Sequence, residues 1–239
     1  MSTGDTPAAP APGRPYLTTL ADVLIAPGEA FAELAARPRV LVVLLVMMAL
    51  HLGFVATWLS RADLAEMVRH QLVLQGREAP PADQIPVGLV RNMTWAGGLL
   101  GLPLVLLLVA GALHFAFTFF AAAELRFKTS LSVVAHAFFP AALLGGPLML
   151  LVMALKGEWS QPPDQVLQAS PAALLDPAGT PRALYSLAGS FDLFTLWTVA
   201  LLSIGFGLAT RRSTGSAAAV VVTLWLLLVL GKAGLAALF

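Results

Sequence analysis

The chain has 239 residues, 58% of them apolar and only 11% charged, with a formal net charge of +1 and no cysteine. A soluble domain carries about 25% charged residues, so this composition cannot clothe a globule in water and argues against a soluble enzyme, a secreted disulfide scaffold or a disordered chain. The missing cysteines rule out disulfides, thiolate metal sites, cysteine nucleophiles and palmitoylation, and the near-zero net charge offers nucleic acid no footprint.

The expectation is therefore an all-α polytopic membrane protein. It has a disordered tail over residues 1–15, an amphipathic cytoplasmic pre-membrane segment over 16–39 and a five-span helical membrane domain over 40–239. The tail is rich in Ala, Gly and Pro, with Pro7, Pro10, Pro12 and Pro15, and has nothing to bury. In the pre-membrane segment Leu17, Leu20, Val23 and Leu24 recur at helical spacing. Pro27 opens a second short helix, where its missing N–H costs nothing, and Pro38 stops the chain just before the first span. Phe31 and Leu34 share one face of that helix. The helix lies on the membrane surface, or offers this face as a docking site to a cytoplasmic partner, or packs it on the protein's own inner surface.

A bilayer core of about 30 Å needs roughly 20 apolar residues. Five blocks satisfy it, near residues 40–59, 96–123, 132–155, 191–209 and 217–238. The first holds twelve Val, Leu and Phe residues. At about 0.3–0.6 kcal/mol each, these favour insertion by roughly 4–7 kcal/mol before polar costs. Pro103, Pro140 and Pro147 should kink the second and third spans.

Between the first two spans, Ser60 and Asp63 suit a helix start. Glu66 and His70 are spaced for a pair, Gly76 closes the helix, and Pro80, Pro81 and Pro86 forbid regular structure until about Val87. The link over 156–190 is proline-rich. Thr180 and Pro181 start a short helix toward Leu187, Gly189 and Ser190 break it, and Asp192 suits the first turn of the fourth span.

Five spans place the chain ends on opposite sides. Lys and Arg divide seven against seven. Density breaks the tie: Arg126 with Lys128, and Arg211 with Arg212, sit in very short links, which places the N-terminus in the cytoplasm and the C-terminus outside. Trp58, Trp95 and Trp159 then lie near the outer boundary, and Lys232 snorkels toward it.

Within the spans, Gly97 and Gly101, and Ser203 and Gly207, stand four apart, the spacing of small-residue helix contacts. His51, His114 and His136 lie in apolar blocks, where an ionisable group is by default a functional candidate. His114 and His136, on spans joined by a tight link, are placed to face each other near Glu124. The competing reading for each is a neutral imidazole hydrogen-bonded to a neighbouring helix. No paired-His zinc helix, phosphate loop or serine triad is present, so no catalytic residue, metal or cofactor is assigned.

Three stretches carry a resemblance. The first is Leu20-Ala-Asp-Val-Leu-Ile-Ala-Pro27-Gly-Glu-Ala-Phe31, running on to Leu34 and Pro38. The second is Phe127-Lys-Thr-Ser-Leu-Ser-Val-Val-Ala-His-Ala-Phe-Phe-Pro140. The third is Phe191-Asp-Leu-Phe-Thr-Leu-Trp197 with Leu201-Leu-Ser-Ile-Gly205-Phe-Gly, ahead of residues 213–218. In this order they resemble the Ypt-interacting-protein (Yip) family of five-span membrane proteins, in its bacterial branch, over roughly residues 17–238. The resemblance implies five spans and a cytoplasmic N-terminus. Its eukaryotic relatives partner Rab-type GTPases, but their Asp-Leu-Tyr-Gly-Pro signature is absent here, and Ala135-His136 stands where they tend to carry Gly-Tyr. The resemblance therefore carries over no GTPase partner and no active site. The expected function is a non-enzymatic scaffold or adaptor in the bacterial inner membrane. Its partners would be the bilayer and other membrane proteins or a second copy, with no nucleic acid. The alternative is a small carrier or lipid-handling protein that uses the kinked second and third spans.

Overall fold

The computed structural model describes residues 15–74, 76–161, 163–167, 169–176 and 179–238. The expected tail lies outside these residues, apart from Pro15. The described residues form helices joined by links, with no strand. In chain order the helices are α1 (Tyr16–Ile25), α2 (Pro27–Ala36), α3 (Leu41–Leu59), α4 (Leu64–Leu74), α5 (Val87–Phe115), α6 (Phe127–Lys156), α7 (Pro163–Val166), α8 (Arg182–Gly189), α9 (Leu193–Ala209) and α10 (Thr214–Leu238). Among the described residues, α3, α5, α6 and α10 are long and apolar enough to cross a bilayer. Helix α9 with the 54° bend from α8 makes a fifth candidate. This is a helical polytopic membrane bundle.

Local chemistry sets the helix ends. Pro27 is the first residue of α2. The Asp63 carboxylate accepts from Glu66 N–H at the head of α4, and Gly76 at φ 70° turns the chain after it. Asp192 caps α9 by accepting from Phe194 and Thr195 N–H, both at 3.0 Å. The expected Glu66–His70 pair does not form. Glu66 takes Arg69 instead, at 2.9 Å, because a guanidinium one turn away always carries its charge.

Two helices run past their apolar blocks. Helix α5 begins at Val87, directly after Pro86, since Val87 and Val90 pack on the Trp58 and Leu59 cluster and prolong the helix. It ends in a wide π turn, Ala116–Phe120, in which Thr118 donates to the His114 carbonyl at 2.7 Å. Helix α6 begins at Phe127 because Thr129 and Ser130 are already buried in its first turn. Pro103, Pro140 and Pro147 all lie inside unbroken helices.

The bundle is organised about the first half of α6, from Thr129 to Pro140, which is almost entirely buried. Helix α6 packs on α3, α5 and α9, and α1 and α2 lie against it as well. The core joins Val23, Phe31 and Leu34 of the pre-membrane helices to Val43, Met47, Leu106, Val133, Val134 and Phe206. Phe117 stacks on Phe206 with ring centres 4.7 Å apart. A second cluster, around Trp58, Leu64 and Met153, closes the opposite end. The outward faces are apolar, with Leu104, Leu108, Leu151, Leu227 and Leu230 exposed. Hydrocarbon solvates such faces without penalty, and Ser130, Ser132, His136, Thr198 and Ser203 lie inside. Thr198 and Ser203 satisfy themselves by donating to the carbonyl one turn back, at 2.8 and 2.7 Å.

Candidate functional site

The polar groups of the bundle fall into three places. The first is a latch between the pre-membrane helices and α6. His136 is fully buried. Its Nδ1 lies 2.7 Å from the Ser132 carbonyl. A carbonyl only accepts, so Nδ1 carries the hydrogen, and Nε2 of the neutral ring accepts the Tyr16 hydroxyl at 2.8 Å. The Tyr16 ring meets the imidazole edge-on. Burial pushes the Tyr16 phenol above its usual range, although the Val43 backbone and the Arg39 guanidinium pull the other way. Tyr16 therefore keeps its proton to donate. One turn below, the Ser132 hydroxyl donates to the Arg39 carbonyl at 2.8 Å and takes Arg39 N–H at 3.2 Å. The Arg39 guanidinium lies over the Tyr16 ring and 3.8 Å from the Glu33 carboxylate. One residue pair in α6, Ser132 and His136, thus fastens both ends of the segment that precedes α3.

The second place is His114. Its Nδ1 shares a hydrogen bond of 3.0 Å with the buried Ser130 hydroxyl, and its ring meets Phe127 edge-on. His114 and His136 therefore have separate partners. They are not bridged to each other, and neither bonds Glu124.

The third place is His51, on α3. It lines a cleft of about 360 Å³ between α3, α5 and α6, together with Leu50, Phe54, Leu102, Ala141, Ala142, Gly146, Met149 and Pro163. Among the described residues His51 has no hydrogen-bond partner. The three histidines thus occupy different environments, and no group of three His, Asp or Glu side chains among the described residues is arranged for a metal.

The packing glycines differ from the expected set. A Cβ on Gly97 or Gly101 would meet nothing within 4 Å, whereas one on Gly98 would lie 3.3 Å from Val55 and 3.5 Å from His51 Nε2. The face of α5 that meets α3 is therefore set by Gly98, one residue round the helix from Gly97. In α9, Ser203 is buried and Gly207 lies under the start of α10, where an added Cβ would come within 3.3 Å of Thr214 Cα. The closest approach is at Gly205. A Cβ there would come within 2.5 Å of Val133 Cγ1 and 2.9 Å of Phe31 Cδ1. Spacing alone did not single out Gly205. Two residues from each of Ser203 and Gly207, it lies on the other side of the helix, against Val133 of α6 and Phe31 of α2.

Phe31 and Leu34 are both 0% exposed. They are not a docking face, because they are spent in the chain's own core, against α6 and α9. The opposite side of α2 remains open. Ala32, Ala35 and Ala36 line a hollow of about 470 Å³ with Glu124 from the α5–α6 link and Leu208, Ala209, Thr210 and Arg211 from the end of α9. Both links are held in tight turns. Ala122 and Arg211 adopt positive φ, 48° and 55°, and the Arg212 guanidinium donates across to the Ala121 carbonyl. Glu124 and Arg211 line one hollow with opposite charge.

At the other end of the bundle, the Trp58 indole donates to the Trp159 carbonyl at 3.1 Å, and the Arg61 guanidinium covers the Trp159 ring. Trp95 is exposed on α5, and Lys232 is exposed on α10.

Comparison with known proteins adds one positive finding. The family model described as the Yip1 domain matches residues 21–235. No curated protein matches the chain, and no solved structure matches it.

Proposed function

The chain belongs to the Yip1 domain family, and from that premise we propose that it is a non-enzymatic membrane scaffold or adaptor. The observation that carries this reading is the hollow beside α2. Three segments far apart in sequence, α2, the α5–α6 link and the α9–α10 link, are knitted together there by the Arg212–Ala121 hydrogen bond and by the latch of Tyr16 and Arg39 on α6. The result is an open concavity that carries Glu124 on one link and Arg211 on the other. It offers complementary charge to a partner surface, which is how interfaces gain register and specificity.

The charge density of the two links supports a cytoplasmic placement of this hollow, and the membrane we propose is the inner membrane of a bacterium. The docking residues are then Ala32, Ala36, Glu124 and Arg211.

Because the chain lacks cysteine, a photo-crosslinker can be attached at a single introduced cysteine in native membranes. Attachment at Ala32 is expected to trap one discrete protein, a second copy or a defined neighbour, and Arg211→Glu is expected to reduce that adduct. Attachment at Leu227, on the lipid-facing side of α10, is expected to trap lipid alone. The same smear of adducts from both positions would overturn the proposal.

A further inference from the structure

We propose that the cleft between α3, α5 and α6 is a binding site for an uncharged, bilayer-soluble molecule. That molecule has a ring-sized apolar body and a carbonyl or hydroxyl group, the chemistry of a quinone head group, and it is held at His51. The proposal does not depend on the scaffold reading.

The three histidines of the spans differ in what they meet. Both ring nitrogens of His136 are paired, to Tyr16 and Ser132, and one ring nitrogen of His114 is paired, to Ser130. His51 has no partner among the described residues, yet it stands about 15 Å along α3 from Leu41, near the middle of a span. At that depth there is little water to complete an imidazole, and an unpaired polar group is costly. A ligand that supplies the missing partner gains what the protein leaves unmade.

The shape of the cleft narrows the ligand class. Its volume of about 360 Å³ is more than twice that of a cavity of roughly 150 Å³ that accepts benzene. At about 30 Å³ for each water-sized group, it holds on the order of a dozen heavy atoms. Small residues keep the space open. Gly146 lies against the Phe54 ring, 3.8 Å from where its Cβ would stand, and Ala141 and Ala142 line the α6 wall. Phe54 and Met149 flank the space, an aromatic ring and a thioether suited to a flat apolar body. Pro163, from α7 beyond the end of α6, closes one side.

Charge settles the remaining choice. Among the described residues, no Asp, Glu, Lys or Arg lines the cleft. A phosphate, carboxylate or ammonium would be buried there without a counter-ion, which is strongly unfavourable. A neutral carbonyl accepts from the imidazole N–H, and a hydroxyl donates to its free nitrogen. An apolar pocket with one placed polar group is the usual form of a small-molecule site.

The test uses the full-length chain in phosphatidylcholine nanodiscs with a photoactivatable short-chain quinone as probe. Labelling is expected to saturate, to fall on peptides that contain Leu50–Phe54 and Ala141–Met149, and to be competed by the unlabelled quinone but not by a hydrocarbon of the same shape. His51→Leu is expected to weaken binding about fivefold to tenfold, the worth of one hydrogen bond, and His51→Gln to restore part of it. Gly146→Leu fills the cleft and is expected to abolish labelling with His51 intact. Each variant is checked for unchanged elution and thermal stability. Three results would overturn the proposal: labelling that never saturates and spreads over α10, equal competition by the hydrocarbon, or unchanged binding in both the His51→Leu and Gly146→Leu variants.

Discussion

The Tyr16 hydroxyl donates to His136 Nε2 at 2.8 Å across 120 positions of sequence. It joins the first residue of α1 to the buried centre of α6. Tyr16→Phe removes the donor and leaves Nε2 unpaired in the core, a loss of about 1–3 kcal/mol. We expect a lower unfolding temperature in detergent and faster proteolysis within residues 15–39. Adding His136→Leu to Tyr16→Phe removes both partners, so the double variant is expected to regain part of the loss. Equal losses in the single and double variants would show that the hydrogen bond does not hold the segment.

Gly205 and Gly97 make a matched pair of tests. At Gly205 an added methyl meets Val133 and Phe31 at 2.5 and 2.9 Å. Overpacking of this kind costs about 1–3 kcal/mol, and Gly205→Ala is expected to destabilise the bundle. Val133→Ala in the same chain should relieve part of that cost. Gly97 faces open space, and Gly97→Ala is expected to be neutral, or stabilising by up to about 1 kcal/mol through helix propensity. Thermal unfolding of the three variants reads both effects.

These two glycines also show what the sequence alone could convey. The helices were legible because hydrocarbon demands long apolar blocks, and their ends because Pro27, Asp63, Gly76 and Asp192 act locally. The inward side of each helix was not legible. In water an apolar stripe marks the core. In lipid both faces of α5 are apolar, and period carries no information about which one packs. Gly97 and Gly101 therefore read as well as Gly98. Phe31 and Leu34 were correctly placed on one face, but an apolar face looks the same whether it meets a partner or the chain's own core. The histidines were visible as polar residues in apolar blocks, whereas Tyr16, 120 positions from His136, could be paired with it only once the fold brought them together.

Asp192 caps α9 at the bend from α8, and its side chain also takes the Thr195 hydroxyl. Asp192→Ala is expected to lower stability by about 1 kcal/mol, and Asp192→Asn by less, since the amide oxygen still accepts. Hydrogen exchange should show the loss confined to the first turn of α9. A uniform loss across α9 and α10 would mean that the cap does more than close a helix end.

Arg211 holds a left-handed conformation, φ 55°, at the turn after α9. Glycine occupies such positions freely, whereas other residues give up about 1–2 kcal/mol there. Arg211→Gly is expected to raise the unfolding temperature. If the hollow beside α2 is a docking surface, the same change is expected to reduce cross-linking from Ala32, so that stability rises as function falls. A rise in stability with cross-linking unchanged would leave Arg211 without a role in docking.

Five crossings of the bilayer require α9 to be one of them, although it has only 17 residues. The chain has no cysteine, so single cysteines report sidedness without background. Membrane-impermeant maleimide should label positions 32, 124 and 213 from one side of sealed vesicles, and positions 61, 158 and 184 only from the other. Labelling of positions 213 and 184 from the same side would mean that α9 does not cross, and would contradict the five-span architecture.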